Sequence, residues 1–356
     1  MHAFGIRGEV LGVITSNLTN RHQFVRFDRV KSDLLAVKSG VPQGSILGPL
    51  FFIIFINDLS SEFDHSIPYL SADDLKLLHT NLLEMQEDLF KFELWVAKNG
   101  MDLQLKKCYL LNFKPQTDSI MLYGKPLKCP SIVRDLGIWI TNNLSFHDHL
   151  TIKLKKANSV FWMIRRNIPN NLDWKSRLCL YKSMILPIIT FGSMCWVLSR
   201  SDCRLIEAFQ KRVTKWIFSY GVADYFTRMS AANLLPVPMF LQLLDLLHLS
   251  SICSGAYDYD YTSFINYCDI GKQRCHSDLF ILKSLNYVKS RDSFFFRTQR
   301  VANNLPIDVN FTNPVGLKNR LLSLMHQKLK EKFDENNVCT WRLCCDCPDC
   351  RPLRCL

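Results

Sequence analysis

Residues 39–59 read Ser-Gly-Val-Pro-Gln-Gly-Ser-Ile-Leu-Gly-Pro-Leu-Phe-Phe-Ile-Ile-Phe-Ile-Asn-Asp-Leu, and residues 70–75 read Leu-Ser-Ala-Asp-Asp-Leu. Two glycines and a proline fall within the five residues 40–44, which makes a tight loop. The apolar run after it predicts a buried helix that ends near Asn57-Asp58. Proline is tolerated in a helix's first turn, so Pro49 sets the start close to residues 45–48. Residues 67–71 and 76–79 read as two strands around Ala72-Asp73-Asp74-Leu75, a hairpin. Adjacent strand residues point to opposite faces, so two neighbouring carboxylates serve one site only where a turn bends the backbone. A hairpin tip supplies that bend. Adjacent aspartates are also common in ordinary surface turns, so the pair alone leaves a metal site and a solvated turn both open.

Outward from this stretch, residues 5–18 carry Ile6, Val10, Val13, Ile14 and Leu18 at helical spacing. Residues 24–27 and 34–38 read as short strands. Residues 82–98 predict an amphipathic helix with Leu82, Met85, Leu89, Phe92 and Val96, stopped by Asn99-Gly100. Short strands are expected at 108–113, 119–123 and 135–140. From about residue 145 the period is helical. Leu150, Leu154, Ala157, Phe161 and Ile164 form one stripe, and a second helix near 203–218 carries Leu205, Phe209, Val213 and Trp216. The chain thus reads as mixed α and β to about residue 141, then mostly helical. Divisions are expected at 1–141, 142–250, 251–338 and 339–356. Lys153, Lys155, Lys156, Arg165 and Arg166 lie on other faces of the first long helix, and Lys211, Arg212 and Lys215 beside the second stripe. These cations fit an ordinary solvated surface or one that contacts phosphates.

Composition narrows the function classes. At 356 residues and 48% hydrophobic, the chain has enough apolar residues for an ample core, which excludes disorder as a whole. Lys plus Arg is 44 against 32 Asp plus Glu, a formal charge of +12. Such a surface favours polyanions, nucleic acid first and anionic membrane second. The apolar run at 46–56 is shorter than the roughly 18–20 residues a bilayer needs, and Gly48-Pro49 interrupt it. The first residues lack the basic-then-apolar layout of a signal peptide. No membrane span is expected.

Of 14 cysteines, eight are scattered from Cys108 to Cys275 and read as reduced thiols of an intracellular protein, nuclear or cytoplasmic. The other six crowd into residues 339–356. Cys344, Cys347, Cys350 and Cys355 make a four-thiolate Zn²⁺ site chemically possible, with Trp341, Arg342, Arg351 and Arg354 for stacking and phosphate contact. The spacing is compressed and no His lies in the tail, so a reduced, unstructured tail is the other reading.

The Gly-Val-Pro-Gln-Gly-Ser loop, the Asn-Asp-Leu helix end and the Ala-Asp-Asp hairpin, in this order and spacing, resemble the palm of reverse transcriptases from non-LTR retrotransposons. Further segments are similar to that family. Arg7-Gly8 and Asn20-Arg21-His22-Gln23 look like its lead-in, Leu105-Lys106-Lys107-Cys108 like its next palm motif, and Leu136-Gly137-Ile138 like its primer-grip hairpin. Residues 144–166 and 186–196 resemble its helical thumb region, and residues 301–320 its C-terminal stretch.

The resemblance implies an α+β fold: a polymerase right-hand palm, an antiparallel sheet with helices, followed by a mainly helical thumb-like region. It implies RNA-directed DNA polymerase activity on an RNA template, a DNA primer and deoxynucleoside triphosphates, with two Mg²⁺ ions. Asp73 would be the main metal ligand and Asp74 the accessory one. Gly40, Pro42, Gln43 and Gly44 would lie beside the incoming nucleotide and template base. Lys107 would be the proton donor to the departing pyrophosphate. Ser71 stands where the family carries an aromatic residue, a loss that weakens nucleotide or primer packing. The family's third carboxylate belongs to a strand upstream of the lead-in, which would fall before Met1, as would the fingers. Residues 1–356 alone are therefore expected to show little or no polymerase activity. A catalytically dead remnant that still binds nucleic acid is the alternative.

Overall fold

The computed structural model describes residues 4–114, 119–219, 224–258, 260–265, 280, 293–306 and 309–343. Two compact units divide the chain, Met1–Pro130 and Ser131–Leu356.

The first unit opens with α1 (Gly8–Leu18), of which only Ile14 is buried. The apolar spacing of this segment was read as a helix, and it is one, but Val10 and Val13 stay exposed. β1 (Arg21–Gln23) pairs antiparallel with β4 (Leu35–Val37). Between them β2 (Arg26–Phe27) and β3 (Val30–Lys31) make a smaller hairpin. α2 (Gly48–Ile56) starts where Pro49 demands and continues as a 3-10 turn over Asn57–Glu62. Its predicted burial is one-sided: Gly48, Phe51 and Ile56 are buried, whereas Leu50 and Ile53 are exposed. An unbroken apolar run has no polar face to show which side lies outward.

β5 (Ile67–Ser71) and β6 (Asp74–Leu78) form the expected hairpin. α3 (Leu82–Lys98) begins at Asn81, whose side chain accepts the Leu83 amide, and stops at Asn99. Both ends match the sequence reading. β7 (Met121–Leu122) and β8 (Lys125–Pro126) pair as a short hairpin. The strand expected at 108–113 reduces to a single bridge between Tyr109 and Lys128. Ile56, Leu59, Met85, Leu89, Phe92, Trp95, Val96, Ile120 and Leu122 make the core of this unit.

The second unit opens with the hairpin β9 (Ile132–Asp135) and β10 (Ile138–Thr141). The single strand expected at 135–140 is thus a turn and one arm. Ile138 joins the core of Leu150, Phe161 and Trp196, so the hairpin belongs with the helices and not with residues 1–130. The expected boundary at 141 put it on the other side. α4 (His147–Asn167) buries Leu150, Ala157, Phe161 and Ile164, the stripe read from sequence.

α5 (Trp174–Leu180) runs through a π-helical turn, Tyr181–Ile185, into α6 (Leu186–Thr190). Pro187 explains the widening, because its ring clashes with the carbonyl four residues earlier and removes one ladder bond. Trp174–Cys195 is the one helical run among the described residues long and apolar enough to cross a membrane by length and composition. Its Tyr181, Ile185 and Ile189 are fully buried in the protein's own core.

α7 (Arg200–Ile217) is entered through a reciprocal cap between Ser199 and Asp202. Its buried stripe lies one position from the expected one at the start: Ile206 is buried and Leu205 is 45% exposed. α8 (Tyr225–Ala231) leads to α9 (Val237–Cys253), and α10 (Phe294–Asn303) and α11 (Leu317–Lys332) follow among the described residues. α9 joins two cores, giving Leu241 to one and Leu243, Leu246 and Leu249 to the other.

Candidate active site

Register places the carboxylate pair. Ile67 pairs with Leu78, Tyr69 with Lys76 and Ser71 with Asp74, so Ala72-Asp73 form a two-residue turn. The second strand starts two residues earlier than predicted, because Leu75 pairs with Leu70 and both pack on the core. Ala72 makes the reversal with φ +54°, a region where few side chains are comfortable. Alternation leaves Ile67, Tyr69 and Ser71 on the outer face. Asp74, opposite Ser71, shares that face, and Asp73 stands in the turn. Both aspartates are exposed. The tip thus brings Asp73, Asp74 and Ser71 together.

The glycine loop is built separately. Ser45 Oγ accepts the Gly48 amide at 2.9 Å, and the Ser45 amide donates to the Pro42 carbonyl at 3.3 Å. A Cβ at Gly48 would lie 2.8 Å from Ser45 Oγ and 3.2 Å from the Pro42 oxygen, so the turn needs glycine there. Gly44 has φ +79°, and Gln43 and Gly44 are exposed while Pro42 is half-buried. Arg21 steadies the entry, donating to the carbonyls of Gly40, Ser39 and Leu18. Lys107 is exposed at the end of a 3-10 turn whose Leu105 packs on the core. No hydrogen bond among the described residues links the loop, the hairpin tip and Lys107. A common core relates them: Phe52 and Ile56 of α2, Leu70, Leu75 and Leu77 of the hairpin, and Leu105 share it.

Two exposed carboxylates at one tip fit Mg²⁺, which takes hard oxygen ligands and is held through one or two carboxylates plus substrate phosphates. Among the described residues no three His, Cys, Asp or Glu side chains gather as a metal-holding group. Asp58 is engaged otherwise, accepting Trp95 Nε1–H at 3.2 Å. Cys344, Cys347, Cys350 and Cys355 lie outside the described residues.

The cations of the second unit separate into kinds. Lys155, Lys156, Arg166 and Lys215 are exposed. Arg212 donates to Asn158 at 2.9 Å and so joins α7 to α4. The Arg165 guanidinium lies 5.0 Å from the ring of Trp162, itself 41% exposed. Lys153 sits 4.6 Å over Phe191, and burial, then Lys156 and Arg134, push its ammonium below the usual lysine value. Lys211 is spent on packing: it lies over Tyr225 and Trp341 and reaches Glu335.

Sequence reading missed Asp88 and Glu84, which hold the hairpin's ends. Its signal was a carboxylate at 88 inside the apolar stripe of Met85, Leu89 and Phe92.

The exposed aspartate pair stands on a tight hairpin, and the glycine loop opens an apolar helix that shares its core. Residues 1–140 match the family described as reverse transcriptase (RNA-dependent DNA polymerase). The chain is 25% identical over 226 residues to a probable RNA-directed DNA polymerase from transposon X-element of Drosophila melanogaster, covering 58% of this chain and 24% of the relative. It is 27% identical over 229 residues to the corresponding protein of transposon BS (58% and 25%) and 26% identical over 227 residues to that of mobile element jockey (58% and 24%), both from the same organism. Residues 1–140 are thus similar to reverse transcriptases, and the chain is similar to the polymerases named for these mobile elements. The chain spans about a quarter of the length of these curated relatives.

Proposed function

We propose that this chain supplies the metal-binding hairpin and the nucleic-acid-holding helices of an RNA-directed DNA polymerase of a non-LTR retrotransposon. The observation that carries the reading is the exposed Asp73-Asp74 tip, inside the segment that matches the reverse-transcriptase family. The substrates are an RNA template, a DNA primer and deoxynucleoside triphosphates. Residues 1–130 are read as palm and the helices after the β9–β10 hairpin as thumb-like.

Asp73 and Asp74 would hold Mg²⁺, which when bound stabilises charge on the attacking and leaving oxygens. Gly40, Pro42, Gln43 and Gly44 let nucleotide and template approach the backbone closely. Lys107 gives a proton to the departing pyrophosphate. Lys155, Lys156, Arg166 and Lys215 contact phosphates, and Trp162 with Arg165 offers a stacking surface. Ser71, small and polar on the face of Asp74, leaves room that an aromatic side chain would fill. A binding-only role is not favoured, since the relatives quoted are named as polymerases.

The test is primer extension on an RNA template by the longest open reading frame that contains residues 1–356. Asp73→Asn in that frame should lower extension by about a hundredfold or more, as loss of a metal ligand in a two-ion site does. Extension at the unsubstituted rate would overturn the reading.

A further inference from the structure

The hairpin that carries Asp73 and Asp74 is a sheet of only two strands among the described residues. Its placement therefore depends on what holds its two feet. Both feet are held by one face of α3. Asp88, fully buried, accepts three backbone N–H groups just before β5: Asp64 on Oδ1 at 3.0 Å, and His65 and Ser66 on Oδ2 at 3.1 and 2.6 Å. Lys91 pairs with Asp64 beside it. One helical turn earlier, Glu84 takes the other foot. Its Oε2 lies 2.5 Å from Nε2 of His79, the residue after β6, and its Oε1 accepts Asn81 Nδ2 at 3.0 Å.

We propose that Glu84 and Asp88 are the positioning residues of the Asp73-Asp74 tip, an inference that rests on the metal-site reading above. Five strand residues at a rise of about 3.3 Å put the tip roughly 17 Å from its feet. A tilt of about 6° at the feet then moves the carboxylates by nearly 2 Å, enough to spoil a site that needs sub-ångström placement. Apolar packing of Leu70, Leu75 and Leu77 resists sliding away from the core. The two carboxylates resist rocking, because they grip both strands at the base of the same lever.

Mn²⁺ is the probe, with the full 356-residue chain and its variants Asp88→Asn, Glu84→Gln and Asp73→Asn. Mn²⁺ affinity is read by electron paramagnetic resonance and amide exchange over residues 67–78 by mass spectrometry, at a temperature where every variant stays folded. Asp88→Asn replaces one accepting oxygen by an NH₂ donor and so strips at least one of the three amides of its acceptor, and exchange over 67–78 should rise about tenfold and Mn²⁺ affinity fall about three- to tenfold, with exchange in residues 131–356 unchanged. Glu84→Gln should act in the same direction. Its carboxylate is 44% exposed, so this variant decides alone if Asp88→Asn does not fold. Unchanged exchange and unchanged affinity in the folded variants overturn the proposal. If Asp73→Asn leaves Mn²⁺ binding intact, the metal-site reading fails instead, and the exchange result still decides the tether.

Discussion

Glu207 is fully buried in the second unit and accepts two hydrogen bonds, from the Tyr225 hydroxyl and from the Val237 amide at 2.9 Å. Gln210 extends the network, donating to the Tyr225 oxygen and the Leu235 carbonyl and accepting from Tyr181. Burial pushes the Glu207 carboxyl up to about 7, against the hydrogen bonds from Tyr225 and Val237 and the charge of Lys211. An acid with a raised folded pKa holds its proton more tightly when folded. Its contribution to stability is therefore full below the ordinary value of 4.5, and falls as pH rises from there to about 7. Glu207→Gln removes that dependence. Thermal melts of wild type should lose more stability across this window than those of Glu207→Gln, and parallel curves would refute it. Asp88 shows the opposite balance. Burial pushes its carboxyl up, hydrogen bonds from Ser66 and the amides of Asp64 and His65 pull it down, and the result lies below the usual carboxylate range. Neither role is written in the sequence. What each residue shows there is a carboxylate on the buried side of a helix, and its partners come from segments distant along the chain.

At the scale of elements, periodicity predicted the buried stripe of α4 at Leu150, Ala157, Phe161 and Ile164 but not the buried His149. For α7 it left two phases, since Leu205 and Ile206 are both apolar. Packing chose Ile206, and the same choice turned Arg212 toward Asn158 and Lys211 toward Trp341. This separates exposed cations from packed ones. Lys155→Ala and Lys215→Ala should each weaken binding of an RNA–DNA hybrid and flatten the dependence of log K on log salt by roughly 0.7–0.9. Lys211→Ala should leave that slope unchanged and lower the melting temperature. Salt titrations by fluorescence anisotropy check both, and a slope change for Lys211→Ala equal to the others would reject the assignment.

At the scale of the whole molecule, two compact units meet the chain at residue 130. Limited proteolysis should cut close to that point and leave a fragment from about residue 131 that keeps its tryptophan near-ultraviolet signal. A single stable product spanning the boundary would contradict this. The first unit leaves Phe27 84% and Ile46 96% exposed, and Val25 and Val30, near Phe27 in the sequence, are exposed as well. Its fragment should bind a hydrophobic dye.

By itself the sequence determined the loop at 40–44, a helix start just before Pro49, the Asp73-Asp74 hairpin, the limits of α3 and the buried stripe of α4. Each is set by local chemistry: a ring that fixes φ, a stop signal, or an apolar periodicity. Tertiary structure alone decided the side on which α2 is buried, the phase of α7, the unit to which the hairpin at 132–141 belongs, and the carboxylates that hold the hairpin's feet. Those outcomes depend on which distant surface supplies the contact, and a linear pattern of apolar and charged residues carries no information about that partner.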